Sequence, residues 1–585
     1  MLASLSGALL LASAASASKL SLASADCKLI PGSPAWPSPG EWDALNQTIS
    51  GRLLRPRPPA AACHEAFAEF SDGVCTTVRT RWNSSQWHSE QPASNMWQNF
   101  NGYSCLPTEE APCSDGGYPV YVVSARERAH IVAAVKFAKE KGVRLNIKST
   151  GHDFLGRSVQ PKSLSIWTHQ LKSTEWHPVG YQPKGCDFMI REPAVTFESG
   201  AQMGELYAQA KERKLMIVGG DSKTVSGGGY LTGGGHSPLS PKYGMGADQV
   251  LEIEAVLASG EVITANECQN QDLFWAMRGG GGSTFGVVTN FTVRALPEVP
   301  ITVWFGTLRS NASAEAKWDV VTHIFREWPK LGSEGISGYL IGNPWSTINV
   351  PTLQIIMPNT TSRDDLQKLM DPFVAGANNA TGGQPILRGG STFYSGYGNF
   401  QVPRTNLTRA RDPTSTFPGT GQSKLITSWL WDTEALASPN LKQALMGSTD
   451  NETLLFTDFT AGPGTHSPPF MRGGGNAVNP AWRTAWVRPA AEMNWKGRDL
   501  DKLRERMATL KTFERALISL APEGGTYGNE ADFSADNWQH KFYGSNYPTL
   551  LEIKRRVDPD DVFWCRTCVG SEGWEETEEG QLCRV

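Results

Sequence analysis

The apolar residues take on a regular spacing at the run "YPVYVV", which favours a β-strand. The next segment, "ARERAHIVAAVKFAKEK", has the three-to-four-residue apolar spacing of an amphipathic helix. Ser124 and Glu127 predict a capping box at its start, and Gly142 predicts its end. "VRLNI" is then a second strand, and it leads into the loop "KSTGHDFLGRS", Lys148 to Ser158. The pattern predicts a β-α-β unit that presents this loop.

A second unit of the same kind follows. "MGELYAQAKERK" predicts a helix and "LMIV" a strand, which leads into the glycine-dense segment "GGDSKTVSGGGYLTGGGHSPLSPKYG". "VLEIEAVLASGEVITA" predicts a hairpin with Ser259 and Gly260 at its turn. The short helix "QDLFWAMRG" and the strand "STFGVVTNFTVRAL" come next. We interpret residues 118–298 as one compact α/β domain.

The rest of the 585 residues is too long to share that core, so further structural units are expected. Residues 18–117 are rich in Pro, Trp and Cys, and predict an irregular, disulfide-tied N-terminal extension. Residues 299–500 combine strand-like runs such as "GISGYLIG" and "TLQIIM" with the helical pattern "SAEAKWDVVTHIFREW", which predicts a second, α+β domain. Residues 501–585 open with the helix "LDKLRERMATLKTFERAL".

Composition narrows the class of partner. The net charge is −4 and the basic residues are scattered, which argues against a nucleic-acid partner or a polybasic membrane patch. No apolar run after the N-terminal one is long enough to span a membrane. The 59 glycines and 20 tryptophans suggest aromatic pockets and backbone packed close to a large ligand. The expected partner is therefore a small molecule.

The N-terminus predicts secretion. Residues 1–17 read as a signal peptide whose cleavage site is Ala15-Ser16-Ala17, although a basic first region is missing. Eight N-x-S/T sequons would be glycan acceptors in a secretory pathway. They lie at Asn46, Asn83, Asn290, Asn311, Asn359, Asn379, Asn406 and Asn451.

Ten cysteines, all beyond the predicted cleavage site, fit disulfides in an oxidising compartment. Five lie between residues 27 and 113, two in the middle and three near the end. Because the first and last groups are odd in number, full pairing requires at least one bridge between groups. Cys565 and Cys568 form a CxxC for which a structural role is favoured, since no thioredoxin-like unit or second ligand pair accompanies it. No metal site is predicted.

Glycines after strands indicate backbone close to a ligand, and successive N–H groups there suit phosphate. A nicotinamide-binding Rossmann motif is disfavoured because no clear helix follows "SGGGYLTGGGHSPL". A P-loop is excluded, since no Gly-Lys-Ser/Thr stands in the required frame.

His152, in the first glycine loop, has four interpretations. It could be a structural histidine, a metal ligand, a general base, or a nucleophile that attaches a cofactor through an electrophilic methyl group. A metal ligand is disfavoured because no histidine or carboxylate partner stands nearby in the sequence. The residues alone leave the other three open.

Four ordered segments carry a resemblance to a known family. They are the His152 loop, "GGDSKTVSGGGYLTGGGHSPLSPKYGMGADQVLEIEAVLASGEVI", "DLFWAMRGGGGSTFGVVTNFTVRALP" and "FYGSNYPTLLEIKRRVDPDDVFWCRT". Together they resemble FAD-linked oxidases of the vanillyl-alcohol oxidase type, in the berberine-bridge-enzyme-like branch, and most of all the secreted fungal isoamyl-alcohol-oxidase-like members.

The resemblance implies an α+β fold. A two-subdomain, PCMH-type FAD-binding domain would occupy residues 118–298, and an α+β substrate domain with an antiparallel sheet residues 299–500. Residues 501–585 would be a berberine-bridge-like segment that returns to the flavin.

The resemblance also implies FAD, joined at its 8α-methyl group to His152. Contacts to the cofactor are expected from Lys148, Ser149, Thr150, Gly151, His152, Asp153, Gly156, Arg157, Ser158, Gly220, Asp221, Val225, Ser226, Gly227, Gly228, Tyr230, Gly234, Gly235, His236, Gly286, Val288, Tyr543 and Asn546.

One position departs from the family pattern. Many members carry a second attachment, a cysteine after paired glycines, and here Asp221 stands in that place. Because aspartate cannot form a thioether, a single covalent bond is expected. An anionic residue near the flavin would also lower its reduction potential.

Catalysis requires a base for the substrate hydroxyl proton. The segment "GTYGNEADF" supplies the candidates Tyr527, Asn529 and Glu530, with Asp532 beside them. Second choices are Tyr394, Tyr397 and Asp432.

The expected function is a secreted, glycosylated oxidase that takes hydride from an alcohol or secondary metabolite and passes the electrons to O2, which gives H2O2. Two alternatives stay open: a flavin dehydrogenase with a non-oxygen acceptor, and a non-catalytic binding glycoprotein on the same fold.

Overall fold

A computed structural model describes residues 27–108, 112–405, 419–577 and 580–585. The predicted signal peptide and the sequon at Asn406 lie outside these ranges. Within them the chain forms separate sheets covered by helices, so the predicted α+β class is confirmed. Of the helices in the described ranges, none is both long and apolar enough to cross a bilayer.

The helices are α1 (Pro39–Thr48), α2 (Asp72–Arg81), α3 (Ser85–Glu90), α4 (Arg128–Lys141), α5 (Met203–Glu212), α6 (Gly227–Thr232), α7 (Ser240–Tyr243), α8 (Gln271–Ala276), α9 (Ala314–Gly332), α10 (Arg363–Asn379), α11 (Tyr397–Thr405), α12 (Thr433–Ala437), α13 (Leu441–Gly447), α14 (Pro463–His466), α15 (Leu500–Ile518), α16 (Trp538–Tyr543) and α17 (Tyr547–Val557). The strands are β1 (Leu53–Leu54), β2 (Tyr121–Ser124), β3 (Leu145–Lys148), β4 (Leu164–Trp167), β5 (Thr174–His177), β6 (Ala194–Glu198), β7 (Leu215–Met216), β8 (Val250–Val256), β9 (Val262–Asn266), β10 (Val287–Arg294), β11 (Leu296–Pro297), β12 (Ile301–Leu308), β13 (Ser337–Gly342), β14 (Thr352–Pro358), β15 (Leu387–Tyr394), β16 (Ser423–Ser428), β17 (Leu454–Phe459), β18 (Arg488–Trp495), β19 (Trp574–Glu576) and β20 (Leu582–Arg584).

The first β-α-β unit forms a four-stranded sheet of order β1-β2-β4-β3, in which β2, β4 and β3 are parallel. Helix α4 ends at Gly142, which has a positive φ of 63° as a left-handed C-cap requires. Strand β1 comes from the N-terminal extension and pairs antiparallel with β2. The extension is therefore more regular than its composition predicts, since it also contributes α1, α2 and α3.

The second half of the same region forms a five-stranded antiparallel sheet of order β5-β6-β10-β8-β9. The predicted hairpin is β8 and β9, whose register pairs Val256 with Val262 around the turn at Gly260. The predicted strand "LMIV" is short: β7 pairs only with β11, outside the main sheet.

The substrate domain is built on a seven-stranded antiparallel sheet of order β15-β12-β14-β13-β17-β18-β16, which we call the substrate sheet. Side chains alternate between its two faces, as strand geometry requires. One face carries Trp304, Leu340 and Leu455 into a core shared with Trp318 and Trp328 of α9. The other face lines a cavity.

The tryptophans do not form the aromatic pocket that their number suggests. Trp304, Trp318, Trp328, Trp429 and Trp431 are fully buried in the core behind the substrate sheet. Among the described residues, the lining of the main cavity contains no tryptophan. A large indole surface is a favoured filler for a core of this size, so the high count reflects packing.

All ten cysteines form disulfides: Cys27–Cys583, Cys63–Cys75, Cys105–Cys113, Cys186–Cys268 and Cys565–Cys568. The expected bridge between the first and last groups is Cys27–Cys583. It ties the start of the described chain to the C-terminal hairpin of β19 and β20, next to a backbone hydrogen bond from Lys28 to Leu582. The CxxC closes on itself.

Candidate active site

A cavity of about 670 Å³ lies where the His152 loop, the second glycine loop, the substrate sheet and the C-terminal segment meet. The sequence-predicted residues that line it are Ser149, Thr150, Gly151, His152, Asp153, Arg157, Ser158, Gly220, Asp221, Val225, Ser226, Gly228, Tyr230, His236, Gly286, Val288, Tyr527, Asn529 and Glu530. Those that lie outside its lining are Lys148, Gly156, Gly227, Gly234, Gly235, Tyr543 and Asn546.

The loop that carries His152 is fixed by its own backbone. It leaves β3 after Lys148 and turns at Gly151, whose φ is +82° and where a Cβ would lie 2.9 Å from the carbonyl oxygen of Ser94. The Asp153 carboxylate accepts hydrogen bonds from the backbone N–H groups of Leu155, at 3.0 Å, and Ser158, at 2.7 Å. Asp153 therefore holds the loop in shape.

His152 is presented to the cavity as a neutral imidazole. Burial, aided by the nearby charge of Lys424, lowers the pKa of His152 to about 3. Its Nε2 lies 2.5 Å from the Thr224 hydroxyl, which in turn lies 3.1 Å from the Ser85 hydroxyl. If Nε2 carries the ring proton and donates it to Thr224, the lone pair is on Nδ1, and a neutral imidazole of this kind is a nucleophile.

Lys148 is turned away from the cavity. Its ammonium group is buried and donates to the carbonyl oxygens of His88 and Ser89 in α3, both at 3.4 Å. Burial lowers the pKa of Lys148 to about 7. The side chain thus joins the N-terminal extension to the end of β3.

The second glycine loop forms an open cradle around the N-terminal turn of α6. A Cβ at Gly227 would lie 2.5 Å from the Phe197 ring, so close packing requires glycine there, whereas a Cβ at Gly229 would meet no heavy atom within 4 Å and would project into the cavity. The hydroxyl of Ser199, buried beside this cradle, has no hydrogen-bond partner among the described residues. The backbone N–H groups of the glycine cradle and the Ser199 hydroxyl are donors that suit the pyrophosphate of FAD.

Gly234 and Gly235 serve packing behind the cradle. A Cβ at Gly235 would lie 2.7 Å from the Tyr230 ring, and the Tyr230 hydroxyl donates to the carbonyl oxygen of His236 at 2.8 Å. Gly235 thus lets Tyr230 hold the loop that ends at His236, while Gly234 has a positive φ of 110° and packs towards Val478.

Arg157 connects the cavity wall to the C-terminal segment, within which Tyr543 bonds to Thr567 and from which Asn546 reaches the substrate domain. Arg157 donates to the carbonyl oxygens of Arg566 at 3.0 Å and Thr567 at 3.1 Å. Tyr543 donates to the same Thr567 carbonyl at 3.1 Å, while Asn546 donates to the carbonyl of Val478 at 3.1 Å. The return segment therefore braces the His152 loop from behind.

Asp221 binds the substrate domain. Its carboxylate accepts from both terminal nitrogens of Arg404, at 3.0 and 2.9 Å, and from the Gln401 amide at 3.1 Å. Both partners lie on α11. The guanidinium compensates the negative charge at the place where the family's second flavin attachment would stand.

A compact charged cluster, which we call the Arg488 cluster, closes the deep end of the cavity. Arg488 binds the Asp458 carboxylate through Nε at 2.8 Å and Glu530 through a terminal nitrogen at 2.5 Å. His236 Nε2 lies 3.4 Å from Glu530 and 3.5 Å from Asp458. The four groups come from different parts of the chain: Asp458 from β17, Arg488 from β18, Glu530 from the C-terminal segment and His236 from the second glycine loop.

The charges of the cluster are set by burial and by one another. Burial alone would raise the pKa of Glu530, but Arg488 and His236 lower it to about 2. Burial raises the pKa of Asp458, and for His236 the two carboxylates outweigh burial and raise its pKa above 6.5. The ligand atoms of His236, Asp458 and Glu530 lie within 4.8 Å of one another, yet a metal cation would have to compete with Arg488 for both carboxylates.

Tyr527 and Asn529 lie beside this cluster. Asn529 donates to the Tyr527 hydroxyl and to the Gly229 carbonyl, both at 3.0 Å, and so joins the C-terminal segment to the glycine cradle. Burial raises the pKa of Tyr527, which keeps the phenol neutral. The Ser428 hydroxyl donates to the Glu530 carbonyl at 2.8 Å and fixes its backbone.

The second-choice catalytic residues lie outside the cavity lining. Asp432 caps α12 by accepting from the Ala435 N–H at 3.0 Å. Tyr397 is buried against Tyr207, and Tyr394 packs on Phe400.

Asp458 and Arg488 were not predicted from the sequence. Asp458 is the one charge in the strand "LLFTDF", and Arg488 opens the buried strand "RPAAEMNW", whose other charge is Glu492. A charge in a buried strand needs a partner or a function, and that signal could have identified both.

Fold and cavity together define a flavoprotein of the two-subdomain FAD-binding class with a separate antiparallel substrate sheet. The sequence matches the family described as "FAD binding domain" over residues 119–266 and the family "Berberine and berberine like" over residues 526–570. The first match contains His152 and the second contains Glu530.

Relatives match this chain over nearly its whole length. An uncharacterised FAD-linked oxidoreductase of Arthroderma benhamiae is 35% identical, over 96% of this chain and 96% of its own. The VAO-type flavoprotein oxidase VAO615 of Thermothelomyces thermophilus is 34% identical, with 96% of each chain covered. The crystal structure of the VAO-type flavoprotein MtVAO615 from Myceliophthora thermophila C1 superposes with a TM-score of 0.85 at 32% identity, over 96% of this chain and 100% of the other. The chain belongs to the VAO-type FAD-linked oxidoreductases.

Proposed function

We propose that this protein is a secreted oxidase that removes a hydride from the carbinol carbon of a small alcohol or secondary metabolite, with FAD held by a single covalent bond to His152. The observation that carries the proposal is that His152 and Glu530, 378 residues apart in the chain, line one cavity. When bound, FAD would accept the hydride and pass the electron pair to O2, which yields H2O2.

His152 suits covalent attachment. Because its pKa is about 3, the ring is neutral at any physiological pH, and its Nε2 is held by the Thr224 hydroxyl at 2.5 Å. We assign Nδ1 as the atom that bonds to the 8α-methyl carbon. A thioether as a second bond is unavailable, since all ten cysteines form disulfides.

The Arg488 cluster supplies the acid-base chemistry. Glu530 is ionised and lines the cavity, so it can accept a hydrogen bond from the substrate hydroxyl. Its low pKa makes it a poor final acceptor, whereas neutral His236, 3.4 Å away and with a raised pKa, can take the proton. Tyr527 and Asn529 would orient the substrate and exclude water beside Glu530.

Secretion is supported by the disulfides and by the sequons. Five sequon asparagines are exposed: Asn83, Asn311, Asn359, Asn379 and Asn451. Asn290 differs, since it lies within β10 and its amide donates to Glu254 at 3.1 Å. Glycans are therefore expected at the first five and not at Asn290.

The test is acid precipitation of the purified protein. Yellow colour that stays with the precipitate supports the covalent bond, and His152→Ala should release it into the supernatant. His466→Ala is a matched control, because His466 contacts the Ala485 carbonyl outside the cavity. Peroxide is then measured in air with a panel of alcohols, sugars and phenols. A colourless precipitate from the native protein would refute the attachment, and flavin reduction without peroxide would indicate a dehydrogenase.

A further inference from the structure

One line of side chains crosses the substrate sheet on its cavity face. The strand register pairs Phe305 with Gln354 and Gln354 with Tyr339. It then pairs Tyr339 with Asp458 and Asp458 with Arg488. Directly paired residues of antiparallel strands share a face, so these five side chains form one continuous line, which we call the sheet row.

The solvent exposure of the side chains falls along the sheet row from Phe305 to Arg488. Phe305 is 55% exposed, Tyr339 is 6% exposed and Arg488 is fully buried. The polar groups of the Arg488 cluster thus stand at the closed end, and an aromatic ring stands at the open end. A ligand that lies along the row has its reacting group at one end and its remote part on Phe305.

The Phe305 ring has an open flank. On the other side of β12, the residue paired with Phe305 is Gly390 of β15, where a Cβ would meet no heavy atom within 4 Å. A phenylalanine this exposed beside a bare glycine leaves apolar surface in water, and such surface at the mouth of a cavity marks a ligand contact.

The cavity face next to the sheet row is mostly apolar. The neighbouring positions on β13, β17 and β16 are Ile341, Phe456, Leu454 and Ile426, all of which line the cavity. Such a lining removes apolar ligand surface from water at about 25 cal/mol per Å².

The cations of the substrate domain at or behind the cavity wall have anionic partners, and of these Arg404 lines the cavity. Arg404 binds Asp221, and Lys424 binds Glu492. Arg488 faces two carboxylates, so none of these cations is left to pair with an anionic ligand, and a carboxylate on the ligand would be buried without a compensating charge there.

Two polar side chains stand between the ends of the sheet row and line the cavity, Gln354 and Tyr339. The Tyr339 hydroxyl is buried in the cavity and has no hydrogen-bond partner among the described residues. It stands between Phe305 and Asp458 in the row, where it can bind a single hydroxyl or carbonyl group of the ligand.

We propose that the substrate is an uncharged alcohol with an apolar, aromatic end that stacks on Phe305, and that Phe305 determines this specificity. The proposal rests on the proposed function for the position of the carbinol, at Glu530. An oligosaccharide is the main rival, because sugars also stack on aromatic rings, but each sugar unit brings several hydroxyls and the row offers only Gln354 and Tyr339 to bind them.

Binding and turnover are measured separately on the flavin-loaded protein. Calorimetry compares 3-phenylpropan-1-ol, 4-(hydroxymethyl)benzoate and cellobiose, and a peroxide assay follows the same ligands. We expect the neutral aromatic alcohol to bind tightest. Phe305→Ala should weaken its binding about tenfold, the loss of one aromatic contact with its buried area. Gly390→Leu should weaken it by filling the open flank, and Phe305→Tyr should retain it.

Phe393→Ala is the matched control, because Phe393 is also exposed but pairs with Thr302 and so lies on the opposite face. Tighter binding of cellobiose or of the benzoate, or an unchanged affinity in Phe305→Ala, would overturn the proposal. Tight binding with the expected variant effects but no peroxide would leave it standing and refute the oxidase function instead.

Discussion

The carboxylate of Asp221, in the FAD-binding domain, accepts hydrogen bonds from both terminal nitrogens of Arg404 on α11. This pair joins two domains at the edge of the cavity, and it gives a role to the aspartate at the position where the family resemblance would place an attachment cysteine. Its charge is compensated, so the expected lowering of the flavin potential does not follow from Asp221 alone.

Asp221→Ala should free α11 from its contact with the FAD-binding domain and lower the stability of the whole protein only slightly. Because the pair is about one-third exposed on each side, we expect a loss of about 0.5–1 kcal/mol in stability. KM should rise more than kcat falls, since Arg404 lines the cavity. Thermal unfolding and steady-state kinetics measure both, with Asp221→Asn as a variant that keeps the shape and the Gln401 contact. A large fall in kcat with unchanged KM would contradict the tether.

Arg488→Met should be strongly destabilising. It leaves the carboxylates of Asp458 and Glu530 buried without their cation, a loss of about 3–5 kcal/mol. Adding Asp458→Asn and Glu530→Gln removes the uncompensated charge, so the triple variant should recover much of that stability. Denaturant unfolding measures the difference. Equal stability of the single and triple variants would show that Arg488 acts through packing alone.

Glu530→Gln should change stability in a pH-dependent way. The native pKa of Glu530 is about 2, below its usual 4.5, so its ionised form stabilises the folded state above pH 4.5 and that contribution fades as pH falls towards 2. The wild type should be more stable than the variant at pH 7, by on the order of 3 kcal/mol, and the two should converge only as the pH falls to about 2. A difference that stays constant with pH would contradict this.

His236 should set the acid limb of the pH-rate profile. As the final proton acceptor it must be neutral, and Asp458 and Glu530 raise its pKa above 6.5 despite Arg488 and the burial beside Tyr527. The value of kcat/KM should therefore rise with pH through a midpoint above 6.5. His236→Gln should lower kcat by about 10²–10⁴-fold and remove this limb. An unchanged limb in the variant would assign the proton to another group.

The His152 loop and the glycine cradle could be predicted from the sequence because they are local. A strand end, two positive-φ glycines and a loop-bracing aspartate follow one another within eleven residues, Lys148 to Ser158, and the first domain's alternation of strands and helices fixes where that loop emerges. Lys148 shows the limit: its position in the loop is local, but the direction of its side chain depends on α3, about sixty residues earlier.

The sequence by itself determined the α+β class, the cofactor family, the presence of an inter-group disulfide and a ligand-side position for His152, since periodicity, glycine spacing and ordered motifs are properties of short segments. Only the tertiary structure decided the rest. The line from Phe305 to Arg488 depends on the register of five strands spread over 184 residues, and the charge states of Glu530 and His236 depend on groups from separate elements. Burial brings those groups together, and pairwise electrostatics in a shielded site then sets which one holds the proton.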